Sequence, residues 1–459
     1  MGILSSIFYF VLVFGVLVII HEFGHFIAAR MSGMRVDIFS IGMYYRVFGW
    51  NKKSGFSFGP LPDDFDGDGM CDYRVSAIPL GGYVKIAGMI DESMDAKFAK
   101  TEPKPWEFRS KNPFQKGMTL SAGVIMNFLL TIVIFSFIIL SQGETHHPNT
   151  SINYVKKNSF AEQIGFKRGD RIVSINNQTI YSWELFFEYL ALDKFGDSRY
   201  INILRNGTPL TLHAEGKSIV NSLVNKESFG IEHDSIIFLI KSVYANMPAG
   251  KSKLKANDTI VTLNGTKISC FMEFVDILQD NKNKSIKFEF KRGNEILTDS
   301  ITPDADGKIG VGPDEYYYGS SYIVNYGFFG SIGEGWNQSV KSIKLFINSF
   351  VQIFNGTISA KKSLGGPLAI AKIASEQAQL GMIPLLRFMA MLSLWLAVIN
   401  ILPIPALDGG HLIFVIVEAI IRREVSLKVK MVIQQVGVFL ILGLMAFAFY
   451  NDIARLFGN

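Results

Sequence analysis

His21-Glu22-Phe23-Gly24-His25 is the segment of this chain best equipped for chemistry. On a helix, residues four apart share a face, so His21 and His25 can turn two imidazole nitrogens toward one divalent cation. Glu22 stands beside them and can take a proton from water. His-Glu-x-x-His is a zinc-hydrolase signature. A catalytic zinc also needs a third protein ligand and an open position, and it brings the pKa of water near neutrality. The chemistry implied is hydrolysis of a peptide bond. The placement is unusual. The motif directly follows an uncharged apolar run, Ile3 to Ile20, and the first Lys or Arg is Arg30. Ionisable groups inside a membrane span are costly and mark function. A helix-end polar cluster wetted at the interface is the bland alternative, and that cost argues against it.

The third ligand must come from elsewhere at the same depth. Asp408 is the leading candidate, within Asn400-Ile401-Leu402-Pro403-Ile404-Pro405-Ala406-Leu407-Asp408-Gly409-Gly410-His411. Two prolines and two glycines break a helix there, and broken backbone survives in a bilayer only when buried in protein or lining a wet cavity. His411 competes for the role. His146, His147, His213 and His233 fall in a long polar region placed on the far side of the membrane.

The elements that position these groups are apolar spans. The 459 residues are 49% hydrophobic with a net charge of +5. No basic block occurs, which sets nucleic acid aside. Four stretches meet the need for about 20 apolar residues. They are read as 1–30, 117–143, 383–408 and 431–452. The first has no basic n-region and carries the motif, so it reads as a retained span and not a cleaved signal. Basic residues cluster in 31–116 and 411–430, which the positive-inside rule makes cytoplasmic. His25 and Asp408 then share the cytoplasmic side of the membrane. Residues 145–380 and both termini lie outside the cytoplasm, and Cys71 and Cys270 are separated by the bilayer.

The external region is duplicated. Residues 160–176 align with 248–264 at a constant offset, matching Asp170 to Asp258, Ile172-Val173 to Ile260-Val261 and Asn176 to Asn264. A repeat of this length with several short strands is a small domain. Both copies, 150–228 and 229–305, resemble PDZ domains of the protease-associated kind, although the second has Asn257 where the first has Gly169. Such domains add a peptide strand to a sheet edge. A ligand-binding pair and a steric plug or size filter both remain open. Beyond them, Trp336, Val340, Ile343, Ile347, Phe350 and Phe354 share one helical face in 333–360. That helix lies in the outer interface, packs on the spans or packs under the second repeat, with packing the preferred reading. The expected architecture is a membrane α-helical core of four spans, with two α+β, β-rich domains inserted between spans two and three.

Taken together, the two motifs, four spans and tandem inserts resemble the site-2 protease family of intramembrane zinc metalloproteases, in its bacterial branch. The resemblance covers essentially the whole chain. It implies Zn²⁺ held by His21, His25 and Asp408, with Glu22 as base and Asn400 holding the substrate backbone. It implies a re-entrant β-hairpin at 73–89, whose Gly81, Gly82 and Tyr83 would clamp an extended substrate; an ordinary hairpin is the plain alternative. It further implies single-span transmembrane substrates, such as membrane-bound anti-sigma factors or remnant signal peptides. These would be trimmed first by a site-1 type protease, in the bacterial inner membrane. Many members have Gly-Pro-x-x-Asn in span two. Here Gly123 and Asn127 are present and the proline is absent. Asn127 either lines the cavity or bonds between helices. Asp64 to Gly69 imitates an EF-hand loop but lacks the closing Glu, so an acidic turn is the default. Two other functions compete: a PDZ-containing membrane scaffold with a structural metal site, and a transporter. Intact Glu22 opposes the first. The second is opposed by the lack of repeated halves.

Overall fold

The computed structural model describes residues 3–62, 67–89, 102–192, 196–224, 229–356 and 365–456. The Asp64–Asp66 part of the EF-hand-like stretch lies outside them. The chain forms two compact units, 1–143 with 325–346 and 364–459, and 144–324 with 347–363.

The first unit is helical, with one small sheet. Its helices are α1 (Ile3–Met31), α2 (Pro113–Gln142), α3 (Gly327–Phe354, shared with the second unit), α4 (Pro367–Leu380), α5 (Met382–Ile401), α6 (Asp408–Ile421) and α7 (Leu427–Leu456). Four of them, over 4–31, 113–142, 382–401 and 427–454, are long and apolar enough to cross a membrane. Helix α2 starts with a reciprocal cap. The Asn112 side chain accepts the Gln115 N–H at 2.8 Å, with Pro113 at the first helical position.

Small residues bring α1 and α2 together. A Cβ on Gly24 would overlap the Ala122 carbonyl, and one on Gly123 would come within 2.5 Å of His25 Nε2. Helix α5 packs on α2 through Ala390 against Ile134, Phe135 and Ile138. Two hydroxyls add polar links: Thr131 Oγ1 donates to the Ala390 carbonyl at 3.1 Å, and Ser393 Oγ to the Asn127 carbonyl at 2.9 Å. Helix α3 begins at Gly327, six residues before the expected start, and residues 357–360 of the expected range lie outside the described residues. Its buried stripe in this unit is Ser331, Gly335 and Ser339, with Gly335 against Ser136 and Ile132 of α2. The helix packs on the spans by this small-residue stripe, while Trp336 of the apolar face is half exposed against Phe128.

The expected third span, 383–408, needs correction. Helix α5 ends at Ile401, and Asp408 opens α6 instead of closing the span. Pro403 and Pro405 cannot continue the hydrogen-bond ladder. Gly409 and Gly410 lie so close to the carbonyls of Ile401, Leu402 and Ile404 that no Cβ fits. The segment expected as a cytoplasmic loop, 411–430, is helical as far as Ile421 and again from Leu427.

The sheet comprises β1 (Val36–Asn51), β2 (Gly55–Phe58) and β3 (Asp72–Ile86). Phe39 of β1 pairs with Tyr73 on one side and Val84 on the other. Strand β3 therefore bends around β1, whereas the expected hairpin would pair its two arms with each other. The arm 82–86 is left as a sheet edge among the described residues.

In the second unit, each repeat copy has its own apolar core. The strand Ile231–His233 pairs with Ile152–Val155 of the first copy, and Val311–Tyr317 pairs with Ile236–Val243 of the second. The boundary thus falls between His233 and Ile236, and the second copy runs to Tyr317. In both cases the last strand of a copy closes on its first. The repeated aspartates do the same work twice. Asp170 accepts from Arg205 Nε at 2.7 Å and the Lys167 N–H at 2.8 Å; Asp258 accepts from Arg292 Nε and the Lys255 N–H, both at 2.8 Å. Gly169 and Asn257 precede these aspartates with φ of 86° and 70°. Asn is the side-chain-bearing residue that best tolerates this left-handed region, which accounts for the departure in copy two.

Candidate metal centre

Helix α1 presents His21 and His25 on one face, both buried. The break after α5 brings Asp408 against them. Asp408 Oδ2 lies 3.1 Å from His21 Nε2 and 3.4 Å from His25 Nε2, and the two Nε2 atoms are 3.2 Å apart. These three residues are a group able to hold one metal ion. Two ligands at zinc's usual bond length in a tetrahedral arrangement sit about 3.3 Å apart, so the spacing fits. Asp408 Oδ2 is buried and no well-aligned hydrogen bond reaches it. A buried carboxylate oxygen facing two imidazole nitrogens at these distances suits a shared cation.

The outer nitrogens are held as well. His25 Nδ1 lies 2.8 Å from the Thr119 carbonyl and donates to it, which leaves Nε2 bare toward Asp408. His21 Nδ1 lies 3.3 Å from the Asn127 amide nitrogen, while Asn127 Oδ1 is buried without a partner. Turning that amide over lets Oδ1 accept the Nδ1–H of His21 and bares its Nε2 in the same way. Of the two readings of Asn127, contact with a histidine across the α1–α2 interface is the one observed. Gly123 provides the space, because any side chain there would strike both imidazoles.

Glu22 points to the sheet edge. The Val84 backbone N–H hydrogen-bonds its carboxylate. At Gly82, a Cβ would come within 3.2 Å of Glu22 Cγ. The base candidate is thereby fixed next to the 82–86 arm. The centre opens into a cavity of about 590 Å³ whose lining includes His21, Glu22, Tyr83, Arg74, Asn400 and Asp408. Asn400 Nδ2 approaches His21 Nε2 at 3.4 Å. Gly81 is not part of this lining; it forms the bend of β3 with φ of 102°. His411 lines the cavity without joining the group of converging donors. Residue type and spacing do not point to Thr119, Val84 or Arg74. Thr119 and Val84 act through backbone atoms, which leave no signal in residue type.

The family model described as peptidase family M50 matches residues 9–444. A regulator of sigma-E protease from Haemophilus influenzae is 30% identical over 475 residues, covering 99% of this chain and all of the relative. Its Escherichia coli counterpart is 29% identical, covering 97% and 98%. A protein named as a zinc metalloprotease in Pasteurella multocida is 29% identical, covering 99% and 100%. A solved PDZ domain of an SdrC-like protein from Listeria monocytogenes shares 24% identity over 17% of the chain and 85% of that structure, with a TM-score of 0.15.

Proposed function

The chain belongs to peptidase family M50, and from that premise we propose that it is an intramembrane zinc metalloprotease cutting the transmembrane segments of single-span proteins. Membership makes it a zinc metalloendopeptidase in a multi-pass membrane setting. The observation that carries the finer reading is the convergence of His21, His25 and Asp408 beside Glu22, directly under a sheet edge.

His21, His25 and Asp408 would hold zinc, which when bound supplies a Lewis acid that polarises the scissile carbonyl and acidifies water. The rest falls to the chain's own groups. Thr119 and Asn127 keep both imidazoles in one tautomer. A transmembrane helix hides its amides in its own hydrogen bonds, so it must open before attack. The 82–86 arm offers backbone groups to an opened strand, and Gly82 leaves room for that strand over Glu22. Asn400 donates its amide to the substrate backbone. Glu22 takes a proton from the attacking water as the new C–O bond forms, then gives it to the amine nitrogen as the C–N bond breaks. The cavity keeps this chemistry away from lipid.

The substrate class follows the relatives named as sigma-E regulators: membrane-bound anti-sigma factors, with remnant signal peptides as a second class. An upstream site-1 type protease would trim them, and the repeat copies would screen them by size on the extracytoplasmic face of the inner membrane. Support for a rigid screen comes from contacts between the copies, where Tyr154 Oη donates to Asp276 at 2.8 Å and Lys157 Nζ to Asp280 at 2.6 Å. The test is Glu22→Gln in the full-length protein. It should keep its zinc and lose about 10²- to 10⁴-fold in cleavage of a single-span substrate. Turnover at the wild-type rate would remove Glu22 from the reaction.

A further inference from the structure

The charged lining of the catalytic cavity is one-sided. Its two carboxylates, Glu22 and Asp408, belong to the reacting centre; the other formal charges among the described lining residues are Arg74 and Lys85 of β3. Arg74 is the inward one of interest. Its side chain is 16% exposed, and its Nε is buried with no hydrogen-bond partner. The nearest carboxylate, Asp72, is 3.9 Å away and already engaged by Arg46 through contacts of 3.1 and 3.2 Å. The guanidinium carbon sits 5.3 Å from the centre of the Tyr83 ring. Ser40 pairs with Tyr83 on one side and Arg74 on the other, so the three are in cross-strand register. Arg74 is thus held by a ring from the edge arm itself, Tyr83, directly next to Val84 and its Glu22 contact.

A guanidinium has five N–H donors in a fixed fork and stays charged. Keeping one largely buried with an idle donor is costly unless a further acceptor arrives. We propose that Arg74 is a specificity-determining residue that pairs with an acidic side chain of the substrate, a few residues from the scissile bond. A strand laid along the 82–86 arm brings alternate side chains over Tyr83 and toward the guanidinium. A Glu or Asp at the matching position completes Arg74; Gln fills the space without the charge, and Lys is repelled. This rests on the reading of the chain as a peptidase acting through Glu22.

The test uses full-length zinc-loaded protein in detergent and synthetic single-span peptides. Glu or Gln is placed in turn at each position flanking the cut, with free or amidated C-termini. Wild type should prefer Glu at one position by about 10- to 100-fold in kcat/KM, chiefly through KM, whether or not the terminus is amidated. Arg74→Gln should bring that ratio toward one, Arg74→Lys should keep part of it, and Arg74→Glu should invert it in favour of a Lys-bearing peptide. Zinc content and a melting curve confirm that each variant is folded. Cleavage by wild type with equal rates for Glu and Gln at every position overturns the proposal alone, as does a ratio unchanged in Arg74→Gln or a preference that vanishes on amidation. Absence of all cleavage by wild type overturns the peptidase reading and this proposal with it.

Discussion

Asp170 and Asp408 are both largely removed from solvent, and their surroundings are opposite. Asp170 is fully buried, with Arg205 on both oxygens and a backbone N–H from Lys167. The second copy repeats the arrangement at Asp258 with Arg292. Asp408 has no cation of this kind; it faces two imidazole nitrogens, and its buried Oδ2 accepts no well-aligned bond. A carboxylate whose partners are built into the chain contributes to the fold. One whose partners are other lone pairs calls for an ion. In the repeat unit these aspartates are part of the structure, and Asp408 of the membrane unit is left open for chemistry.

That contrast can be broken by exchanging the expected outcomes. The largest effect belongs to the repeat unit. Asp170→Ala should cost about 3 kcal/mol, the low end for a broken buried pair because Arg205 is partly exposed. Thermal unfolding of the full-length protein should show the loss, and the zinc content should stay unchanged. A loss of zinc with no change in unfolding would reverse the assignment of roles. Next comes the support of His21. Asn127→Leu should weaken zinc binding by about 10- to 100-fold, as found when a ligand histidine loses its outer partner. Competition with a chelator of known affinity measures this, and unaltered affinity would reduce Asn127 to a packing residue.

The smallest effect sharpens the same comparison inside the repeat unit. Burial, with Glu315 near by, pushes the Glu232 carboxyl from 4.5 up to about 7. The folded chain therefore holds this proton more tightly than the unfolded one. The stability it contributes is complete below 4.5 and is lost as pH rises through about 7. Glu232→Gln should raise the melting temperature of this unit at pH 8 by a few degrees, at roughly 2–4 °C for each kcal/mol recovered. The gain should vanish below pH 4.5. A gain independent of pH would assign the effect to packing.

How much of this was legible before the structure follows from distance along the chain. His21, Glu22 and His25 are one helical turn, so residue spacing alone carries their geometry. Asp408 was legible because Pro403, Pro405, Gly409 and Gly410 advertise a broken helix, although the break begins at Ile401 and the aspartate starts the next helix. The repeat was legible from matched residues, but its boundary was not. The closing strand Ile231–His233 pairs backward with Ile152–Val155, a contact that no local pattern carries. By sequence, strand β3 reads as a self-paired hairpin because the Gly81-Gly82 bend resembles a tight turn; β1, some 40 residues earlier, fills the space between the arms. Arg74 carries no local signal for the same reason, since its contact with Tyr83 exists only across β1. Gly123 and Asn127 were visible as residues, while their contacts with the histidines depend on how closely α1 and α2 approach.

The central claim is that His21, His25 and Asp408 hold one zinc ion beside Glu22. Its most direct test is metal analysis of purified full-length wild type and Asp408→Asn, each before and after dialysis against a chelator, with cleavage of one single-span substrate followed in parallel. Wild type should carry about one zinc per chain and lose cleavage when it is stripped, and Asp408→Asn should retain little zinc and no cleavage. Full zinc occupancy in Asp408→Asn, or cleavage that survives zinc removal from wild type, would contradict the account.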